Sequence, residues 1–275
     1  MRLNPQVDKP RRSFYGITFT KAPVKMLPLW ARNKIGARIP RLVEWRYRNR
    51  DRRIDQLPIQ MSDLLDSFTY KIDGTSMEAF INRLDETWNP VKVGLASFNP
   101  FNFANAVYYF YLYSLTRKLK PEMAVEAGVF LGGSSAAILK AMEENGKGRL
   151  ISVDISKTVS SGIWTKYGVP TGFAVPGWLR NRWELVIDDS RHFLAAALPR
   201  LGSIDFYLHD SDHSYRTVTF EMEMAWRHLK TGGVLVVDDC NLSLATYDFA
   251  KRNTLRPWLL SRDGIYPDTL AIFIK

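Results

Sequence analysis

The stretch from Met123 to Leu139 most constrains what this chain can fold into. Its first residues read as a short buried strand with one acid, Glu126, and glycines at 128, 132 and 133 then make a tight turn. Ser134 opens a helix. A strand, a glycine turn and a helix N-terminus form a cradle for a nucleotide-like ligand, because free N–H groups of the helix point into the turn. A plain tight turn explains these residues equally well, so both interpretations stay open.

The turn departs from the dinucleotide fingerprint in one place. The middle glycine of G-x-G-x-x-G lets a pyrophosphate approach the backbone, and here Phe130 stands in its place. The bulk of Phe130 and the charge of Glu126 disfavour a pyrophosphate and suit a ligand with a cationic, amino-acid-like end. An NAD-dependent oxidoreductase is therefore disfavoured.

From residue 122 onward, strand and helix patterns alternate. Apolar strands are predicted at about 123–128, 149–154, 184–188, 203–210 and 233–238, and helices at about 133–145, 190–198 and 213–230. A last helix near 243–252 precedes a hairpin formed by 256–261 and 269–274. This alternation predicts βαβ units and a doubly wound, mostly parallel α/β sheet.

The first 98 residues form a separate, basic N-terminal extension with short helices, predicted near 41–54 and 75–88. Residues 1–60 hold 15 Lys and Arg against 4 Asp and Glu, which accounts for the whole net charge of +10. A solvated arm or a surface that wraps the main domain explains this excess, and contact with an anionic membrane surface or an acidic partner is the alternative. Nucleic acid is a disfavoured partner, because the rest of the chain offers no matching basic face.

Composition limits the class of protein further. No run approaches the roughly 18 apolar residues of a membrane span, and the first residues lack the apolar core of a secretory signal. The single cysteine, Cys240, excludes an internal disulfide, and the four histidines lack zinc-site spacing. We expect a cytoplasmic protein; a peripheral place at the membrane, through the basic region, and homo-oligomerisation are both left open.

Two aromatic segments have two interpretations each. Residues 156–182 are long for a connection inside a domain and read as a substrate lid, whose aromatic rings suit a sugar or another ring substrate. A loop packed on its own domain explains them equally well. The tyrosines of a helix predicted at 103–118 favour core packing over the lining of a pocket.

Acidic residues follow the ends of successive predicted strands, where open α/β sheets bind ligands. Asp154 comes 28 residues after Glu126 and can hold a ribose diol, and Asp189 with Ser190 suits the edge of an adenine ring. Further acids follow the next two strands, at Asp210 and at 238–239. An acid at a helix start often merely caps the helix, which explains any one of these positions but explains all four poorly.

Taken in order, these motifs resemble class I S-adenosylmethionine-dependent methyltransferases. Within that class they resemble the divalent-metal-dependent sugar and catechol O-methyltransferases. The resemblance extends from about residue 101 to 275 and implies a seven-stranded, Rossmann-like sheet over residues 99–275. It rests on these motifs: Glu126-x-Gly128, Asp154, Asp189-Ser190, His209-Asp-Ser-Asp-His-Ser-Tyr215 and Gly232-Gly-Val-Leu-Val-Val-Asp-Asp239.

The resemblance also implies roles for individual residues. The turn cradles the methionine moiety of S-adenosylmethionine, Asp154 takes the ribose, and Asp189 with Ser190 takes the adenine. Mg²⁺ or Mn²⁺ binds three aspartates, and His213 acts as the general base beside the catalytic Asp210. The implied cofactor-binding residues are Glu126, Gly128, Phe130, Gly132, Ser134, Asp154, Asp189 and Ser190, and the implied metal ligands are Asp210, Asp238 and Asp239.

The chemistry of these residues suits O-methylation. Three carboxylates around a hard cation make an all-oxygen site, the cation lowers the pKa of a bound hydroxyl, and an imidazole removes the proton. We therefore expect a metal-assisted O-methyltransferase acting on a sugar, a glycolipid or a small natural product. The alternative is a non-catalytic S-adenosylmethionine-binding regulatory protein, which has no need of His213 or a metal site.

Overall fold

A computed structural model describes residues 13–14, 17–18, 103–159, 168–260 and 270–275. The chain divides into two compact units, Met1–Glu44 and Trp45–Lys275. In the first unit, the two-residue strands Ser13–Phe14 and Ile17–Thr18 pair antiparallel. The helices predicted near 41–54 and 75–88, and the domain boundary predicted after residue 98, lie outside the described residues.

The second unit contains a seven-stranded sheet. Its strands are β1 (Met123–Ala127), β2 (Arg149–Asp154), β3 (Trp183–Ile187), β4 (Ile204–His209), β5 (Leu229–Asp238), β6 (Trp258–Leu260) and β7 (Leu270–Ile274). They lie in the order β3-β2-β1-β4-β5-β7-β6, and β7 runs in the direction opposite to the other six strands. The prediction of a doubly wound, mostly parallel, seven-stranded sheet is confirmed.

Helices cover both faces of the sheet. They are α1 (Phe103–Leu119), α2 (Gly133–Asn145), α3 (Ser190–Leu201), α4 (Tyr215–His228) and α5 (Ala245–Arg252), and a short 3₁₀ helix spans Gly177–Arg182. Alternate residues of a strand point to opposite faces: Phe206 packs in the core beside α1 and α2, and Tyr207 packs in the core beside α3, α4 and α5. Burial on both faces explains why the strands read as continuous apolar runs.

The described part of residues 156–182 packs on the domain. Val159, Val169, Val175 and Leu179 are buried in the same core as α1 and α2. Two backbone hydrogen bonds join this segment to the glycine turn, from Gly172 N to Phe130 O at 2.9 Å and from Ala174 N to Leu131 O at 2.7 Å. The described part thus agrees with the alternative of a loop packed on its own domain, residues 160–167 lie outside the described residues, and a lid role for 156–182 stays a prediction.

Among the described helices, none has both the length and the apolar character needed to cross a membrane.

Candidate active site

A cavity of about 340 Å³ opens at the carboxyl ends of β1 to β4. Its wall combines the turn after β1, the end of β2, the start of α3 and the loop after β4. It includes six of the residues that the sequence predicted for the site: Gly128, Phe130, Asp154, Asp189, Ser190 and Asp210. The other predicted residues are absent from the described wall: Glu126, Gly132, Ser134, His213, Asp238 and Asp239.

Glu126 lies beneath the cavity rather than in its wall. Its carboxylate is fully buried and accepts hydrogen bonds of 2.5 Å from the hydroxyls of Ser134, Ser135 and Ser152. Burial raises the pKa of Glu126, against the three hydrogen bonds that favour its ionised form. Two of these serines lie in the first turn of α2, so an internal carboxyl group occupies the helix N-terminus that was predicted to face the ligand. Contact between Glu126 and the ligand stays a prediction.

Gly128 is required by the backbone beside it. Its φ is +87°, and a Cβ at this position would lie 1.9 Å from the carbonyl oxygen of Asp210. This contact with the loop after β4 is a reason for glycine that the sequence did not reveal, and the predicted place of Gly128 against the methionine moiety stays a prediction. Gly132 (φ +92°) is required in the same way, because a Cβ at this position would lie 2.9 Å from Gly172 Cα and 2.9 Å from Val175 Cγ2.

Asp154 holds the glycine turn in place. Its Oδ2 accepts hydrogen bonds from the backbone N–H groups of Val129 at 2.9 Å and Phe130 at 3.0 Å, and its Oδ1 accepts one from Ser156 N at 3.2 Å. These contacts stabilise Phe130, whose φ of +50° is unusual for a residue with a side chain. Asp154 lines the cavity as predicted, and its role towards a ribose stays a prediction.

Asp189 caps helix α3. It accepts a hydrogen bond from Arg191 N at 2.8 Å and pairs with the Arg191 guanidinium at 2.8 and 3.1 Å. The hydrogen bond from the Arg191 side chain and its positive charge lower the pKa of Asp189 to about 2, against slight desolvation. Capping, the simpler interpretation of an acid at a helix start, therefore holds here, and the adenine role of Asp189 stays a prediction.

Sequence reasoning missed Glu221, which joins three elements behind the cavity. This buried carboxylate of α4 accepts hydrogen bonds from Ser190 at 2.5 Å, Ser211 at 2.6 Å, Tyr207 at 2.9 Å and His209 Nδ1 at 2.6 Å. Burial opposes its charge, but His209 and the serine hydroxyls hold the pKa of Glu221 below its usual value. A glutamate on the apolar stripe of α4, beside Val218, Met222 and Ala225, was the available signal.

The cavity wall offers mainly hydrogen-bond acceptors. It contains five aspartates, and four of its hydroxyls donate their protons to other protein atoms. Thr171 donates to Ser156 O at 2.6 Å, Thr217 donates to Asp212 at 2.8 Å, and the two serines donate to Glu221. The one cationic side chain in the described wall, Arg191, is paired with Asp189. Such a wall suits a cation and a donor-rich ligand.

Beside the cavity, aromatic and acidic side chains meet. Tyr108, whose role in the site the sequence did not reveal, donates a hydrogen bond to Asp210 Oδ2 at 3.0 Å. The Nε2 atom of His213 lies 3.8 Å from Asp239 Oδ2, and its ring packs edge-on against His209 with 5.4 Å between centroids. Burial and His209 lower the pKa of His213, against the opposing effect of Asp239 and two further aspartates.

The start of α4 is satisfied without His213. Ser214 is the N-cap of this helix and accepts a hydrogen bond from Thr217 N at 3.3 Å, while Asp212 accepts one from the Ser214 hydroxyl at 2.6 Å. His213 is therefore not the residue that caps this helix.

The three predicted metal ligands do not form a cluster. Within the described ranges, no group of three or more His, Cys, Asp or Glu side chains is placed to hold a metal ion. Asp210 accepts the Tyr108 hydroxyl, Asp238 is fully buried, and Asp239 faces His213. The residues as placed do not fit a site of three carboxylates around a cation, so Mg²⁺ rests on the resemblance alone.

Part of this chain is similar to a known protein family. A family model described as a methyltransferase domain matches residues 125–240. A comparison of the sequence with curated proteins finds no match.

Solved structures that are similar to this chain share little sequence with it. The O-methyltransferase from Bacillus cereus in complex with SAH is 12% identical, with 72% of this chain and 91% of that chain covered and a TM-score of 0.45. The tomaymycin-synthesis O-methyltransferase from Streptomyces achromogenes, in complex with SAM, is 14% identical (78% and 95% covered, TM-score 0.46). The SAH-bound methyltransferase PaMTH1 from Podospora anserina is 12% identical (74% and 96%, TM-score 0.47).

The family match lies within the α/β sheet region. The match begins in β1 and ends just after β5, and so includes the glycine turn, Asp154, Asp189 and the loop after β4. Residues 125–240, which contain every residue described in the cavity wall, are thus similar to a methyltransferase domain.

Proposed function

We propose that this domain transfers the methyl group of S-adenosylmethionine to a hydroxyl oxygen of a sugar, a glycolipid or a small natural product. The acceptor-rich, anionic cavity wall is the observation that carries the proposal. It suits the sulfonium, ammonium, ribose hydroxyls and adenine amino group of the cofactor, and it repels the pyrophosphate of NAD. A volume of about 340 Å³ is within the usual range for small-molecule sites.

In the proposed reaction, His213 is the general base. The acceptor hydroxyl gives its proton to the imidazole while its oxygen attacks the methyl carbon. The S–CH₃ bond breaks, its electron pair returns to sulfur, and neutral S-adenosylhomocysteine leaves. The place of His213 beside the cavity, next to Asp239, supports this role, since Asp239 stabilises the imidazolium that forms.

Cofactor binding is tested by calorimetry. We expect the purified protein to bind S-adenosylmethionine and S-adenosylhomocysteine and to ignore NAD. Incubation with methyl-labelled cofactor and an extract of the source then identifies the acceptor as the molecule that gains label. Binding of NAD alone would refute the proposal, and cofactor binding without transfer to any molecule would favour the regulatory alternative.

The role of His213, which precedes helix α4, is tested against a histidine at the other end of that helix. His213→Ala should lower kcat by roughly 10²- to 10⁴-fold, the usual contribution of a positioned base, and leave cofactor affinity unchanged. His228→Ala is the control, because this residue ends α4, roughly 20 Å away, where its Nδ1 lies 2.9 Å from Met224 O. Equal rates in the two variants would show that His213 is structural.

Metal dependence is the part of the proposal that rests on the resemblance alone. Chelation should abolish turnover and added Mg²⁺ should restore it, with no change in cofactor affinity. Full turnover in excess chelator would remove the metal from the proposal.

The basic residues 1–60 support a second, separate proposal, attraction to an anionic membrane surface, at about 1 kcal/mol for each Lys or Arg near the surface. Sedimentation of the full chain with anionic vesicles should show binding at low salt that is lost at high salt. Absence of binding at low salt would refute it.

A further inference from the structure

Glu221 uses its whole capacity to accept hydrogen bonds. A carboxylate offers about four lone-pair positions, and four donors reach the two oxygens of Glu221. Oε1 takes the hydroxyls of Ser190 and Ser211, and Oε2 takes Tyr207 and His209. Because the side chain is fully buried on the apolar stripe of α4, these donors are what stabilise its charge.

The two serines connect this buried carboxylate to the cavity. Both line the cavity wall, and each hydroxyl has a single proton, which it donates to Glu221. Their oxygen atoms can therefore only accept hydrogen bonds from a ligand. A ligand atom that is itself an acceptor meets lone pairs at both positions and loses the hydrogen bond it makes with water.

We propose that Glu221 is a positioning residue that fixes Ser190 and Ser211 as acceptors and thereby makes the site select a purine with an amino group over one with a carbonyl group. The inference rests on the proposed function, since the purine concerned is the adenine of S-adenosylmethionine. The 6-amino group of adenine donates hydrogen bonds, whereas the 6-carbonyl of hypoxanthine only accepts them.

The selection depends on a carboxylate and not merely on a polar side chain. A glutamine at 221 would fill the same space, but its amide nitrogen donates hydrogen bonds. A serine that accepts from this nitrogen would turn its own proton towards the cavity. Glu221→Gln should therefore make the wall tolerant of a carbonyl group while the shape of the cavity stays the same.

The experiment compares S-adenosylhomocysteine with S-inosylhomocysteine by calorimetry on the full chain. We expect the unmodified protein to prefer the adenosyl ligand by about 10- to 100-fold, the effect of one unsatisfied buried acceptor. In Glu221→Gln this preference should fall to roughly threefold or less.

Asp205→Asn is the matched control. Asp205 also accepts several hydrogen bonds, from the backbone N–H groups of Glu122 and Met123 at 2.9 Å and from Lys230 at 2.7 Å, but it lies at the opposite end of β4. This variant loses a carboxylate of similar connectivity and should keep the full preference. If the role of Glu221 were merely structural, the preference for the adenosyl ligand would be the same in Glu221→Gln and Asp205→Asn.

Each outcome has one meaning. If the unmodified protein binds neither ligand, the proposed function fails. If it binds both ligands equally, or if Glu221→Gln keeps the full preference, the inference about Glu221 fails and the proposed function stands. Should Glu221→Gln not fold, the double variant Ser190→Ala, Ser211→Ala decides: it removes both acceptors, and an unchanged preference in it would overturn the inference.

Discussion

The contact between Gly128 and the loop after β4 gives the sharpest test of how the site is built. In Gly128→Ala the new Cβ would lie 1.9 Å from the Asp210 carbonyl oxygen, where ordinary contacts begin at 3.4 Å. The carbonyl must therefore move by about 1.5 Å. It belongs to a backbone held by the hydrogen bond from Asp210 N to Ala127 O at 2.8 Å, so it cannot rotate away as a side chain would.

The expected cost has two parts. A residue with a Cβ in the left-handed region costs about 1–2 kcal/mol, and overpacking costs a further 1–3 kcal/mol, which gives about 2–5 kcal/mol for Gly128→Ala. Gly146→Ala is the matched control, because Gly146 has a φ of +69° and no atom lies within 4 Å of the point that its Cβ would occupy. The control carries the backbone strain without the contact and should cost about 1–2 kcal/mol.

Urea unfolding followed by far-UV circular dichroism measures both costs. Gly128→Ala should unfold at a lower urea concentration than Gly146→Ala, by about 1–3 kcal/mol in free energy of unfolding. It should also bind S-adenosylmethionine more weakly, because the displaced Asp210 backbone belongs to the cavity wall, whereas Gly146→Ala should bind normally. Equal destabilisation of the two variants would refute the contact between Gly128 and the Asp210 carbonyl. Normal cofactor binding by a destabilised Gly128→Ala would show that this contact does not shape the cofactor cavity.

Two further predictions concern buried and capping acids. Burial raises the pKa of Glu126 above its ordinary 4.5, so the folded protein keeps a proton that the unfolded chain releases above about pH 4.5. The free energy of unfolding should therefore fall as the pH rises through the folded pKa. Glu126→Gln should flatten this dependence in unfolding measurements across pH 4–8. Parallel stability curves for the variant and the unmodified protein would contradict the prediction. Asp189→Ala removes the N-cap of α3 and should cost about 1 kcal/mol, seen as a lower Tm, whereas Asp188→Ala, which leaves the cap, should cost less.

The fold was largely predictable from the sequence. Buried parallel strands read as continuous apolar runs, so each predicted strand lies within a few residues of its observed position, and the terminal hairpin corresponds to β6 and β7. Helix α3 begins at Ser190, as its capping residue indicates. The helices predicted near 41–54 and 75–88, and residues 160–167 of the lid predicted over 156–182, fall outside the described ranges.

The site was predictable in position but less so in its contacts. Acids that follow parallel strands must gather at one edge of the sheet, and Asp154, Asp189 and Asp210 do line one cavity. Their partners depend on loop backbone and side-chain rotamers, which periodicity does not encode. Asp154 thus binds the N–H groups of residues 129 and 130, and the hydroxyl of Tyr108 reaches Asp210 over 102 positions of sequence.

The strand order has a consequence for synthesis of the chain. Strand β7 lies between β5 and β6, yet it follows both of them in the chain, and among the described strands β6 pairs with β7 alone. Until residues 270–274 emerge, the nascent chain carries the apolar edge of β5 without its partner, and β6 has no strand to join. Because an unpaired apolar edge invites pairing with other chains, the nascent domain is most exposed to aggregation between the synthesis of residue 238 and that of residue 274.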